Sequence, residues 1–464
     1  VADVRIKIRT SERTGWQSKC FTQPTFAFIR LYLHLKRQNL KPSDTHPIRI
    51  CTQKRGFEHV RQHKQQKMKL KLTLILLFCV TISFAQKGVI AEANKLIESK
   101  KYESAYKLLD NADPNNEKPE IAIAKTNLVL NYYVTTKMHQ IFALKDLTPG
   151  EKLAAIRGSE GNFSNYKFSP NTVLPDLIEK YPDNYELQKE LGNFYHEIHL
   201  KYDDNWLLPD SVLVDKFKSY YLTAYKKGVF DSWSAYGIGY ACLINLDYEA
   251  SIPFFKKSIE LNSKDPYSNY NLAYAYLYTD QTEKGIESAK KALDLYNDAE
   301  NKSNVARMIA VMYLELEDTV NAMEYYKKSD AIQPGNYSTV KALLELEMAL
   351  NTEAYRERTK QLFLIAPEAP IIYQDLMTFY WSNNKPDELL QFFSEQISDY
   401  STDYTVSGNL KFYTALVQHD KKDFRNAKLN FRLAKEAYEK VFAADHQVFK
   451  VIESYNNKLA NYGS

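Results

Sequence analysis

Residues 232–265 read SWSAYGIGYACLINLDYEASIPFFKKSIELNSKD, and residues 266–299 read PYSNYNLAYAYLYTDQTEKGIESAKKALDLYNDA. Laid one over the other, Ala235, Ile238, Gly239 and Cys242 meet Asn269, Leu272, Ala273 and Tyr276. Ser251, Phe255, Ser258 and Leu261 meet Gly285, Ala289, Ala292 and Leu295. Each pair is 34 positions apart, the length of one helix-turn-helix repeat. The eighth and twentieth positions are small (Gly239 and Ala273, Ser251 and Gly285), which lets two helices approach closely. Apolar residues around them recur at i, i+3 and i+4, so each half is an amphipathic helix.

This pattern resembles the tetratricopeptide repeat (TPR) family. The resemblance implies an all-α fold, a right-handed superhelical solenoid of antiparallel helical hairpins, and a protein that binds partners. Other stretches carry weaker copies. Residues 303–336 place Ala306, Ile309, Ala310, Tyr313, Ala322, Tyr326 and Ser329 at the packing positions, with Pro334 stopping the second helix. Residues 409–441 recover Ala415, Phe424, Ala427, Phe431 and Ala434, while the copies between them lose their small residues. Upstream, Leu191, Gly192 and Tyr195 match a first helix, and Phe217, Tyr221 and Ala224 a second, with an insertion over 196–211 between them.

Composition supports long helices. Hydrophobic residues make up 44% of the 464 and aromatic residues 13%, whereas Gly 14 and Pro 16 are low. The net charge of +4 averages two unlike parts. Residues 1–67 hold 15 Lys and Arg against 4 Asp and Glu, and Lys69 and Lys71 follow. What remains has 44 basic and 53 acidic residues, a net of −9, and so no electrostatic reason to bind nucleic acid.

Residues 1–67 show no sustained period and are expected to be translated upstream sequence absent from the mature protein. Met68 then opens MKLKLTLILLFCVTISFAQ, with a basic start, an apolar run over 72–82, and small Ser83 and Ala85 before the cut. This predicts a secretory signal peptide over 68–85 and an exported protein, periplasmic or extracellular. The competing arrangement, a basic arm and a membrane anchor, needs a longer run, since a span takes roughly 20 residues. Phe78 before Cys79 is too large for a lipoprotein cleavage site, so no lipid anchor is expected. Cleavage leaves Cys242 alone, without an intramolecular disulfide, at a helix-packing position. The mature chain is expected to hold N-terminal helical hairpins over 86–146, an irregular loop or linker over 147–171, and the repeat array with a C-terminal capping helix over 172–464.

No glycine-rich phosphate loop, GxSxG or paired CxxC occurs, so no cofactor and no enzymatic activity are expected. The one local cluster is His196-Glu197-Ile198-His199 with Asp203 and Asp204 beyond it, a metal site in principle. Its i, i+3 spacing differs from the i, i+4 histidines of a zinc protease, and surface polar residues at a helix end account for it more simply. In the family, the groove is lined by the second, fifth, ninth, twelfth and thirteenth positions of each first helix. Carried over, these positions bring Trp233, Tyr236, Tyr240, Tyr267, Tyr270, Tyr274 and Tyr278 onto one face. The expectation is a concave aromatic groove for a protein or peptide segment. The competing readings are that these rings only fill space, or that they stack on sugars in a glycan-handling protein of the cell envelope.

Overall fold

The computed structural model describes residues 88–201 and 208–460, and the chain divides after Asp247 into two compact units, each described by itself. The expected upstream segment, the signal peptide over 68–85, Cys79, Asp203 and Asp204 lie outside the described residues.

The first unit begins with α1 over residues 88–98, α2 (Tyr102–Ala112) and α3 (Pro119–Tyr132). The turn between α2 and α3 is held by Lys125, whose fully buried Nζ donates to Asp110 Oδ1 at 2.7 Å, Asp113 O at 2.7 Å and Asn116 Oδ1 at 2.8 Å. The chain then departs from the helical expectation for 86–146. Strands β1 (Thr135–Lys137), β2 (Ile141–Leu144) and β3 (Ser164–Lys167) form an antiparallel sheet in the order β1-β2-β3. Thr136 pairs with Phe142, and Phe142 with Tyr166. Phe142, Ala143, Leu144, Leu147 and Phe168 are buried beneath it. The stretch 147–171 is therefore not merely irregular: it holds α4 (Leu153–Ile156) and β3, and α5 (Pro170–Lys180) starts within it. β3 is polar and mostly exposed, held by backbone pairing and by Tyr166, whose ring lies 4.8 Å from that of Tyr106 and whose hydroxyl donates to Glu103 at 2.8 Å.

Three longer helices complete this unit: α6 (Tyr185–Lys201), α7 (Asp210–Tyr225) and α8 (Ser232–Ile244). As the packing positions predict, Phe217, Tyr221 and Ala224 are fully buried. Tyr221 is wedged between two glycines. A Cβ on Gly192 or on Gly237 would lie 2.6 Å from its ring. Its hydroxyl donates to Asn193 Oδ1 at 2.9 Å, so the wedge has a polar latch.

The second unit is a run of antiparallel hairpins: α9 (Tyr248–Leu261), α10 (Pro266–Leu277), α11 (Thr282–Leu295), α12 (Ala299–Glu315), α13 (Thr319–Ile332) and α14 (Tyr337–Ala349). α15 (Ala354–Ile365), α16 (Pro370–Ser382), α17 (Pro386–Asp399), α18 (Tyr404–Asp420), α19 (Phe424–Tyr438) and α20 (Gln447–Lys458) follow. Many helices open on an aspartate or asparagine that accepts from a backbone N–H of the first turn, among them Asp265, Asp298, Asp318, Asn336, Asp403 and Asp423. Ala273, Ala289, Ala292, Ala306 and Ile309 form the close contacts of the repeat core. The small hydroxyl residues at these contacts satisfy one another: Ser268 donates to Ser258 at 2.8 Å, and the Ser303 and Ser329 hydroxyls meet at 2.9 Å. Leu261, expected to pack, is instead 47% exposed because α9 ends there. The glycine wedge returns in α18 and α19, where a Cβ on Gly408 would lie 2.5 Å from the Tyr438 ring and the Tyr438 hydroxyl donates to Asn409 Oδ1 at 2.7 Å. Ile452 of α20 and Leu459 just past its end cover the apolar surface of that last pair.

The first helix of a pair ends in a recurrent turn. Leu246, Asp280, Glu317, Asn351, Asn384 and Lys422 all have positive φ, between 50° and 66°. The next residue's N–H bonds back five positions each time, as from Asp247 to Cys242 O at 2.9 Å and from Asp318 to Tyr313 O at 2.8 Å. This is the left-handed helix stop usually given to glycine or asparagine. Leucine is the least suited of the six residues, because its Cβ and branched side chain crowd the backbone there.

Two substitutions test this packing. Leu246→Asn should raise the thermal midpoint, by roughly 0.5–1 kcal/mol of relieved strain; an unchanged or lower midpoint would refute the strain at this turn. Gly408→Ala should lower stability by about 1–3 kcal/mol, because its methyl must displace the Tyr438 ring. Denaturant titration showing no loss would mean that the ring is not held against the glycine.

Candidate functional site

The seven aromatic residues expected to line a groove fall into both units, three in the first and four in the second. On α8, Trp233, Tyr236 and Tyr240 stack in a row, with ring centroids 5.4 Å and 5.8 Å apart. Only Trp233 faces solvent to a useful extent, at 43%, whereas Tyr236 and Tyr240 are buried, at 8% and 4%. The row rests on α6. His196 stacks on Trp233 at 4.7 Å and on Phe217 at 4.6 Å, and the Tyr240 hydroxyl lies 3.5 Å from His199 Nε2. The ring faces of Tyr236 and Tyr240 thus serve the packing of this unit, where position along the repeat had suggested an open groove.

The two histidines follow from the same arrangement. His196 is fully buried, and burial, followed by the proximity of His199, pushes its pKa down to about 3, so it sits neutral among the rings. His199 Nδ1 lies 3.4 Å from Asp210 Oδ1. The pair is a core element of α6 rather than a polar surface at a helix end. Among the described residues, no group of three His, Cys, Asp or Glu side chains is placed to hold a metal ion. His139 behaves alike, buried against Tyr133 and Phe142, with burial holding its pKa down at about 3. Cys242 is a free thiol, buried, and burial pushes its pKa up.

Lys189 and Asn193 of α6 are polar side chains of a kind that could address a ligand. Here Lys189 Nζ lies 2.9 Å from Glu186 and 3.3 Å from Asp231. Asn193 donates to Glu190 Oε2 at 3.0 Å and accepts from Tyr221. Both are used inside the unit.

In the second unit, α10 carries the other four rings. Tyr267 and Tyr278 are 46% and 53% exposed, near the start and just past the end of the helix, while Tyr270 and Tyr274 are half-buried between them. Tyr278 stacks on Tyr248 at 4.7 Å and meets Tyr274 at 4.7 Å. Burial and the Tyr278 hydroxyl push the Tyr274 pKa up, so the Tyr274 phenol is a neutral donor and acceptor. Tyr267 leans edge-on against Tyr296 at 5.4 Å. Tyr248 was not foreseen, because it opens a second helix and the groove positions considered lay on first helices. A further concavity, of about 470 Å³, opens between α16, α18 and α20, with Met377, Trp381, Phe412, Leu416, Val451 and Tyr455 in its walls. It escaped sequence reasoning because α20 stands outside the repeat. No helix among the described residues is long and apolar enough to cross a membrane.

The tetratricopeptide repeat pattern matches residues 254–287, from α9 through α10 into α11. No curated protein matches the sequence. Among solved structures, the chain is similar to a tetratricopeptide repeat protein from Parabacteroides merdae, at 14% identity and a TM-score of 0.36, covering 59% of this chain and 99% of that one. It is also similar to the MamA protein, at 14% identity and a TM-score of 0.34, covering 40% of this chain and 94% of that one. YrrB, described as a TPR protein with an unusual peptide-binding site, aligns at 10% identity and a TM-score of 0.29, covering 50% and 97%. The chain is a helical-hairpin array that contains a tetratricopeptide repeat, and the matched repeat is the one that carries the exposed tyrosines.

Proposed function

We propose that the chain is an exported, non-catalytic scaffold whose second unit takes a peptide segment of a partner protein against the aromatic face of α10. The observation that carries this reading is the exposure of Tyr267 and Tyr278. Within the same helix Leu272, Ala273, Ala275 and Tyr276 fill the packing positions, so those two rings stand outside the buried set of the helix. A tyrosine offers a large, stiff, amphipathic surface that loses little freedom on binding, and its hydroxyl can meet a backbone carbonyl. Tyr248, Tyr270 and Tyr274 support this face from beneath, which holds the outer rings in place. Trp233 offers an exposed ring of the same character in the first unit. Export rests on the signal-like segment over 68–85.

The test is capture of partners from cell-envelope extract by the full chain and by a Tyr267→Ala, Tyr278→Ala double variant. Loss of two anchor rings should weaken capture of the specific partners by at least about tenfold, since each well-placed aromatic anchor contributes on the order of 1–2 kcal/mol. Both side chains are half-exposed, so the thermal midpoint should stay close to that of the parent. Capture of the same partners at the same strength would refute the aromatic face as the binding site.

A further inference from the structure

Glu190 sits on the side of α6 that packs on α3, and it is 1% exposed. Its Oε2 accepts from the Asn127 amide of α3 at 3.1 Å and from the Asn193 amide at 3.0 Å. Its Oε1 is buried with no hydrogen-bond partner among the described residues. The adjacent cation, Lys189, turns to Glu186 and to Asp231, the residue that caps α8. Asp231 adds negative charge near the site, and Tyr221 of α7 closes the cluster by donating to Asn193. A carboxylate in this place is stripped of water, held by two neutral amides and, among the described residues, paired with no cation of its own. A buried charge so poorly compensated favours taking up a proton over remaining ionised.

We propose that Glu190 is protonated when α3 is docked on α6, and that losing this proton to solvent loosens α3, so that rising pH weakens the N-terminal part of the first unit. Burial raises the Glu190 pKa from 4.5 to about 7, against smaller opposing effects from Asn193, Lys189 and Asn127. For an acid whose pKa is raised on folding, the stabilisation is complete below the unfolded value and is lost as pH climbs to the folded one. The window is therefore pH 4.5 to about 7. His139 and His196, both held near 3, act in the opposite sense, because each resists the proton that the unfolded chain accepts below about 6.5. The parent's own pH profile mixes these effects, whereas a comparison with a non-titrating variant isolates Glu190.

The experiment compares the full chain with Glu190→Gln from pH 5 to pH 8.5. The variant's thermal midpoint should gain on the parent's as pH rises, by roughly 5 °C across the range. Hydrogen exchange, corrected for its intrinsic pH dependence, should show residues 119–132 losing protection at pH 8.5 in the parent and not in the variant. A midpoint difference that does not change with pH would overturn the proposal. Should the variant fail to fold, the side-chain carboxyl ¹³C shift of Glu190 in the parent decides: a titration near pH 7 supports the proposal, and one near 4.5 overturns it.

Discussion

The distance between helix axes is what everything else in this protein depends on, and it is set where an aromatic ring lies on a residue without a side chain. Tyr221 occupies the space that a Cβ on Gly192 or Gly237 would claim, and Tyr438 does the same over Gly408. At the first and last of these contacts an asparagine, one residue after the glycine, accepts the tyrosine hydroxyl. Size and hydrogen bonding then demand the same geometry, so sliding one helix along the other loses both together. In the central repeats alanine and serine replace the glycine, and paired hydroxyls replace the tyrosine latch. The 34-residue period is this spacing constraint expressed along the chain.

That is also why so much of the fold was legible. Small residues recurring at fixed places in amphipathic helices mark the points where helix backbones must come close, and the buried set of α10 to α13 follows them except at Leu295 and Tyr313, which are half-buried. The small sheet was not legible, for physical reasons. The turn joining β1 to β2 puts Met138 and His139 at positive φ, where glycine or asparagine would have marked it. β3 carries Ser164, Asn165, Tyr166 and Lys167, with no apolar alternation, so its ladder to β2 leaves no pattern in the sequence. The helix stops at Leu246, Glu317 and Lys422 hide for the same reason, since their residue types do not advertise a left-handed turn.

The site was legible as positions and not as surfaces. Repeat register says which side of a helix a residue occupies, but it cannot say what covers that side. On α8 the covering element is α6, which contributes His196 and His199 to the aromatic row. The insertion over 196–211 begins at these histidines, so a stretch that looked peripheral in sequence supplies core side chains. On α10 the same positions leave Tyr267 and Tyr278 exposed.

The contrast between the units bears on where binding can evolve. In the first, the polar and aromatic groups that could address a ligand already address one another: Lys189 holds Asp231, Asn193 joins Glu190 to Tyr221, and the α8 rings stack on imidazoles. Changing any of them disturbs several neighbours at once, which ties that network to stability and to pH. In the second, alanine and serine make the close contacts around α10 to α12, and Tyr267 and Tyr278, though each rests on a neighbouring ring, keep about half of their surface exposed. A ring that keeps one face toward solvent can be selected for what it touches outside. The proposed recognition accordingly falls on the repeat whose outer rings keep a face toward solvent.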